Sequence, residues 1–412
     1  MPADLAVLGL GHLGLPAAQA ASATGVGTVG YTDDQHTAAE LNAGRPPAGS
    51  TLAAADLRRM LAAGFQAGTD PALLTRVRTA LICAPTPPAA DQRSLDLTGV
   101  LEYARVLAPR LRPRTLVVLE SAVPPGTTEE LLAPALEAGS GLRAGRDFHL
   151  AHAPGRLDPG NRHHDYAATP RVIGGLTPAC TEAAAAFYGR LTDKVVRAKG
   201  VREAETVKVL ETNYRHVNIA LVNEMAVLCH ELGVDLWDVV RCAETKPFGF
   251  RSFRPGPGVG GHAAPMDVAP GRLRMVELAQ EVNSRMPGYV TQRAATLLNE
   301  YGKSVRGARL LLLGVTYRPD LPDQQGAPAR EIARRLADLG GRLSFHDPYV
   351  TQWRVGGAPV PRADSLYEAA AGADLTLLLQ HHSVYDLQGL AAKAQLLLDT
   401  RGATPAGAAH RL

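Results

Sequence analysis

The chain has 412 residues, 46% of them hydrophobic and 20% charged, with a formal net charge of +3. A single hydrophobic core seldom grows past about 250–300 residues, so two or three domains are expected, and values this close to globular averages exclude disordered, collagen-like and polybasic classes. No nucleic-acid or membrane partner follows from such a composition: the apolar runs, such as Leu310–Val315, fall short of the ~20 residues of a membrane span. Met1-Pro2-Ala3-Asp4 leads straight into a strand-like segment, and a cytoplasmic protein is expected.

Short β-type runs at Leu5–Leu8, Thr28–Tyr31, Ala80–Ala84, Thr115–Leu119 and Phe148–Ala151 alternate with helix-length stretches, the pattern of a parallel sheet with crossover helices. They define a first α/β domain over residues 1–200. From Glu203 to Leu232 the apolar residues Val207, Leu210, Tyr214, Val217, Leu221 and Met225 recur at three- and four-residue steps, which predicts one long helix. That helix opens a central helical domain, residues 201–303, suited to dimerisation and carrying a Gly/Pro-rich loop over 251–270. Further strand-like runs at Arg309–Leu313, Leu343–His346, Leu375–Leu379 and Gln395–Leu398 place a second Rossmann-like domain over residues 304–412. The fold class is therefore α/β, two doubly wound domains joined by a long central helix. Four cysteines, Cys83, Cys180, Cys229 and Cys242, lie far apart and without metal-ligand spacing, so reduced thiols and no zinc site are expected.

The first strand runs into Gly9-Leu10-Gly11-His12-Leu13-Gly14 and then a helix, the context that gives a GxGxxG its meaning. Gly9 permits the tight turn, Gly11 the approach of a pyrophosphate, and Gly14 close helix packing. The helix N-terminus adds free N–H groups for the phosphates. At the end of the second strand the expected ribose-binding carboxylate falls on Thr32, with Asp33 and Asp34 next and no arginine for a 2′-phosphate, so NAD is favoured over NADP.

The ordered motifs Gly9–Pro16, Ala84-Pro85-Thr86-Pro87, Glu120–Thr128, Lys208–Glu224, Thr245–Phe250, Pro255–Asp267 and Gly314–Asp320 resemble the UDP-glucose/GDP-mannose dehydrogenase family over nearly the whole chain, nearest its UDP-N-acetyl-hexosamine 6-dehydrogenase branch. The resemblance implies oxidation of a sugar C6 alcohol to a carboxylate in two hydride transfers, with the aldehyde held on a cysteine. It implies cofactor contacts from Gly9, Gly11, His12, Leu13, Gly14, Thr32, Asp33, Ala84, Pro85, Thr86, Glu120 and Ser121. Catalytic roles fall on Lys208 and Asp267. Substrate contacts fall on Thr212, Asn213, Phe253, Arg254, Gly258, Gly261, His262 and Arg318, and a homodimer is expected through the long helix.

Several positions depart from that pattern. The family loop has a cysteine after Gly-Gly-His, whereas Gly260-Gly261-His262 is followed here by Ala263, and no cysteine lies in the loop. A covalent thiohemiacetal needs a nucleophile. The glutamate of the family's Pro-Glu-Arg is Gly155, its threonine after the strand-end serine is Ala122, its helix asparagine is Thr212, and its Arg-Glu-Ser is Gln325-Gly326-Ala327. Three readings remain open at this point. One is an NAD-dependent enzyme that oxidises an alcohol of a sugar, sugar nucleotide or nucleoside transiently or by two electrons, with dehydration or epimerisation as redox-neutral outcomes in a specialised biosynthetic pathway. Another is a silent relative that binds a nucleotide or a partner subunit, and the third is an ordinary four-electron dehydrogenase.

Overall fold

The computed structural model describes residues 3–47, 50–89, 94–158, 161, 164–260 and 273–412. It divides into two compact units, Met1–Glu211 and Thr212–Leu412.

The first unit is built on β1 (Leu5–Leu8), α1 (Gly14–Ala23), β2 (Thr28–Tyr31), α2 (Gln35–Asn42), α3 (Ala54–Ala62), β3 (Gln66–Gly68), β4 (Thr79–Ile82), α4 (Thr98–Leu107) and β5 (Leu116–Leu119). It continues through α5 (Ala133–Ser140), β6 (His149–His152), β7 (Arg171–Gly175), α6 (Pro178–Tyr188) and β8 (Val195–Arg197). The eight strands lie in the order β3-β2-β1-β4-β5-β6-β7-β8. All neighbours are parallel except β6 and β7. The order reverses between β1 and β4, and ligands of such sheets bind there, beyond the carboxyl ends of the strands. Strand alternation builds a core on each face: Leu5 and Val7 of β1 enter one cluster and Ala6 and Leu8 the other. Helices start where a cap is available, as at Asp34, whose carboxylate accepts the His36 and Thr37 N–H groups, and at Thr177, which accepts from Cys180 ahead of Pro178.

The long helix is α7 (Val201–Glu231), two residues longer at its start than the periodicity predicts, and the boundary between the units falls within it. Next come α8 (Leu236–Ala243), capped by Asp235, and α9 (Arg274–Glu300). The remainder runs β9 (Arg309–Leu313), α10 (Pro328–Asp338), β10 (Arg342–His346), the small hairpin β11 (Arg354–Val355) and β12 (Ala358–Pro359), α11 (Leu366–Gly372), β13 (Leu375–Leu378), α12 (Leu387–Lys393), β14 (Leu397–Asp399) and β15 (His410–Arg411). A five-stranded parallel sheet takes the order β10-β9-β13-β14-β15. Its reversal lies between β9 and β13, which places a second crevice at the loops after Leu313 and Leu378. Leu310 and Leu312 face one core, Leu311 and Leu313 the other.

The fold is the α/β class expected, with Rossmann-like sheets and the long helix. The expected strands at 80–84, 115–119 and 148–151 fall at 79–82, 116–119 and 149–152, offsets of one or two residues. The antiparallel insertion of β7 and the edge strands β3, β8 and β15 had no alternating apolar pattern long enough to signal them. No helix among the described residues is long and apolar enough to cross a membrane.

Candidate functional site

The turn after β1 has the geometry of a phosphate cradle. Gly9 sits at φ +95, where a Cβ would lie 2.6 Å from the Cys83 carbonyl oxygen, and a Cβ on Gly14 would lie 1.9 Å from the Gly9 oxygen. Around Gly11, by contrast, nothing lies within 4 Å of the Cβ position. Two glycines are thus required by the protein's own packing, and the third leaves open space at the start of α1, the positive end of a helix dipole. His12 is exposed and Leu13 half-buried beside this space.

Past β2, Thr32 is buried and accepts the Asp34 N–H at 3.2 Å, while Asp34 caps α2. Asp33 is exposed. On the other side of the reversal point, hydrogen bonds tie the ends of β4 and β5 together: Ser121 Oγ donates to the Ala84 oxygen at 2.8 Å and Thr86 Oγ to the Ala122 oxygen at 2.8 Å. Pro85 stands exposed at this rim.

Glu120, expected at the cofactor, has its side chain turned into the interior. Tyr166 and Tyr188 each donate to its Oε1 at 2.6 Å, and Arg171 lies 3.6 Å from Oε2 with neither ion exposed. The Arg171 guanidinium also stacks 3.6 Å above the Tyr166 ring. A buried carboxylate needs such partners, and the network fixes the backbone at the strand end. Burial, and then the Glu120 charge, push the neighbouring Cys83 thiol well above its usual range, which leaves it protonated and inert.

Within the first unit α7 is anchored by Glu205. Its buried carboxylate accepts the N–H groups of Gly126 and Thr128 at 2.6 and 2.8 Å and the Thr128 hydroxyl at 2.6 Å. The Gly-Thr-Thr motif therefore holds the helix, and Lys208 follows one turn later, half-buried. Arg156 is engaged by Glu211, with Nε and Nη2 at 2.9 and 2.6 Å from Oε1. A Cβ on Gly155 would lie 2.5 Å from Leu13 Cδ2, so Leu13 occupies the space into which a larger residue at 155 would grow.

In the second unit Thr212 and Asn213 are both buried. Phe253 packs its ring edge-on to Tyr214, centroids 5.8 Å apart, and joins the apolar cluster of Val222, Ala226 and Leu236, while Arg254 is exposed. The loop is tethered through buried amides: Gly256 N–H donates to Asn223 Oδ1 at 2.9 Å, and Asn223 Nδ2 to Asn283 Oδ1 of α9 at 2.9 Å. Gly258 rests on Pro328, and at Gly260 a Cβ would lie 2.1 Å from the Gly326 oxygen and 2.9 Å from the Tyr317 ring. Gly326, where the resemblance has a glutamate, thus accepts the loop backbone at close range. Gly261, His262, Ala263 and Asp267 lie outside the described residues.

Two cations flank this loop. Arg318 extends over Tyr317, 5.9 Å from its ring centre, and Arg401 donates through Nε to the Leu379 oxygen at 2.8 Å while its Nη1 lies 3.1 Å from the Cβ position of Gly256. Arg401 was not singled out by sequence. The signal was a cation two residues after a fully buried strand end, Leu397-Leu398-Asp399, in a parallel sheet. Asn223 was hidden within the apolar stripe of α7. No cluster of three metal-ligating side chains occurs among the described residues.

Comparison with known proteins gives the chain a context. Models of the UDP-glucose/GDP-mannose dehydrogenase family match residues 3–192 (NAD binding domain), 202–289 (central domain) and 311–406 (UDP binding domain). The chain is 30% identical to the UDP-N-acetyl-D-mannosamine dehydrogenase of Escherichia coli strain K12, over 97% of this chain and 99% of that one. It is 31% identical to the NDP-N-acetyl-D-galactosaminuronic acid dehydrogenase of Ralstonia solanacearum, over 97% and 95%. The fold superposes on the structure of UDP-D-ManNAc dehydrogenase from Pyrococcus horikoshii with a TM-score of 0.87 at 28% identity, covering 98% of this chain and 97% of that one.

Proposed function

Because the chain belongs to the UDP-glucose/GDP-mannose dehydrogenase family, we propose that it oxidises an alcohol of a UDP-N-acetylhexosamine or related nucleotide sugar by two electrons and does not carry it on to the carboxylate. The cofactor is NAD, and the open space at Gly11 against the start of α1 fits its pyrophosphate. Bound NAD would supply a hydride acceptor for the alcohol carbon, and the hydroxyl proton would have to leave to a base. Asp267 or Lys208, the latter on the turn of α7 fixed by Glu205, moves that proton. Arg318 and Arg401 supply positive charge for a diphosphate, the work that guanidinium groups do best.

One observation carries the limit to two electrons: Ala263 stands where the resemblance places the nucleophilic cysteine. The four cysteines do not offer a substitute. Cys83, Cys180 and Cys229 are buried, Cys180 with its sulfur 3.5 Å from the Leu150 N–H and 3.2 Å from the Thr177 hydroxyl, and Cys242 lies on α8 beside Asp238 and Arg241. Gly155 in place of the family glutamate removes a water-handling carboxylate as well. The product leaves as the carbonyl compound.

The test is direct. Purified protein is incubated with NAD and UDP-N-acetylmannosamine, UDP-N-acetylglucosamine or UDP-glucose, and the products are analysed by mass spectrometry. No uronic acid is expected. Uronate formed at the rate of an ordinary dehydrogenase overturns the two-electron limit and returns the chain to four-electron oxidation.

A further inference from the structure

His382 follows β13 at the second crevice, fully buried, and its two ring nitrogens have different partners. The Asp320 N–H, which can only donate, points at Nδ1 at 2.9 Å. Nδ1 must therefore present a lone pair, and the ring proton resides on Nε2. From there it reaches Asp347 Oδ2 at 3.0 Å, with Thr316 Oγ at 3.4 Å. Asp347, itself buried, also accepts the Val315 N–H at 2.8 Å and the Tyr349 N–H at 2.8 Å. The imidazole and Asp347 together thus hold both ends of the segment 315–320 to the turn after β10. Arg318 lies inside that segment. Its carbonyl oxygen accepts the Thr316 hydroxyl at 2.9 Å, and the Tyr317 oxygen accepts Gln380 Nε2.

Asp320 is the point of tension. It is one of two non-glycine residues with positive φ among those described, at +59, a conformation uncommon outside glycine though aspartate takes it more readily than most. Its carboxylate accepts the Ser383 N–H at 2.8 Å and the Tyr349 hydroxyl at 3.3 Å, and Oδ1 waits 3.9 Å from Nδ1. A proton arriving on Nδ1 sets N–H against N–H, and the nearby carboxylate offers a better partner only if the Asp320 peptide turns. The other groups facing the ring are Tyr349 and Tyr385, with ring centres at 5.0 and 5.4 Å. Beyond them His346 contacts Tyr385, and Arg362 donates to the Asp347 backbone oxygen at 3.1 Å. Burial pushes the Tyr385 phenol up, so it stays neutral throughout.

We propose that His382 is a positioning residue that holds the Arg318 loop in its nucleotide-binding shape as the neutral Nε2–H tautomer, and that its protonation releases the loop. The inference rests on the reading that this loop takes a nucleotide diphosphate. Its direction follows from the donor arrangement: affinity is full while the ring is neutral and falls as pH drops through its titration.

The experiment uses the intact protein and UDP-glucose, whose diphosphate diester does not titrate between pH 8 and 5. Calorimetry gives affinity across that range, and long-range 15N spectra report the tautomer of His382. At pH 8 the Nε2–H form is expected. Affinity should fall about tenfold as the ring gains its proton, the worth of one well-formed buried hydrogen bond. His382→Asn, whose amide oxygen replaces Nδ1 as acceptor, should retain most of the pH 8 affinity and lose the acid-dependent fall. An Nδ1–H tautomer at pH 8, a ring that stays neutral to pH 5, or an equal fall in His382→Asn overturns the proposal. If UDP-glucose binds at no pH, the nucleotide-sugar reading fails separately. The Asp320 amide shift then decides the latch, and an amide unmoved as the ring titrates overturns it.

Discussion

Gly11 is the residue whose replacement speaks most directly to the cofactor. Its Cβ position meets no protein atom within 4 Å, so Gly11→Val should fold normally and lose NAD affinity by at least about a hundredfold, because the new side chain fills the space of the pyrophosphate. Isothermal titration with NAD checks this, and unchanged affinity refutes the assignment. Lys208 is the matching test of chemistry: Lys208→Ala should leave NAD binding nearly intact and reduce turnover about 100- to 10,000-fold, the range of a positioned acid–base group. A substrate deuterated at the reacting carbon should turn over more slowly in the parent protein. Full activity in the variant, or no isotope effect, removes the proton-transfer role. The glycine turn was legible in the sequence because its constraints are local, strand, turn and helix within a few residues. Glu120 was not. Its direction is set by Tyr166 and Tyr188, 46 and 68 residues further on, and no local pattern reports that a strand-end carboxylate faces inward. The aspartate behind Thr32 was ambiguous for a similar reason, since only the cap of α2 shows that Asp34 is taken up by the helix start while Asp33 is exposed.

α7 shows how an element inherits its position from a few contacts at one end. Removing the Glu205 carboxylate leaves the Gly126 and Thr128 N–H groups without their acceptor in a buried place, and each such donor costs about 1–3 kcal/mol. Glu205→Ala should therefore lower stability by about 2–4 kcal/mol, read as a fall in Tm by scanning calorimetry. Glu205→Gln, which keeps one acceptor oxygen, should lose less. A Tm for Glu205→Ala within a degree of the parent would show that the Gly-Thr-Thr turn holds itself without the helix. The helix itself was readable from its three- and four-residue apolar steps, as were the central strands from their fully buried runs. Edge strands such as β3 and β8 are three residues each, too short for a period to declare itself. Their pairing comes from neighbours already in place.

For the molecule as a whole, the outward side of α7 is the feature still to be accounted for. Tyr214, Leu221 and Leu228 recur every seven residues and are 49%, 59% and 46% exposed, with Leu210 one turn before them at 69%. A seven-residue apolar seam on a helix matches a second helix presenting the same seam. A two-fold pair of copies buries the same patch twice, which is why symmetric dimers are the commonest solution. The sequence predicted a homodimer through this helix, and the exposure pattern supports it as a proposal. Three large side chains moved from half exposure into a contact would each contribute about 1–2 kcal/mol per copy, from ~25 cal/mol per Å² of apolar surface, enough to matter at micromolar concentration. Leu221 stands in the middle of the row, where a charge would meet its own counterpart or apolar surface across the axis. Light scattering on the parent protein at micromolar concentration should give twice the chain mass, and Leu221→Glu should give the single-chain mass with NAD binding retained, since Leu221 is remote in sequence from the glycine turn. A parent protein that is monomeric under those conditions, or a Leu221→Glu variant that remains dimeric, would move the dimer interface elsewhere and leave the seam without a partner.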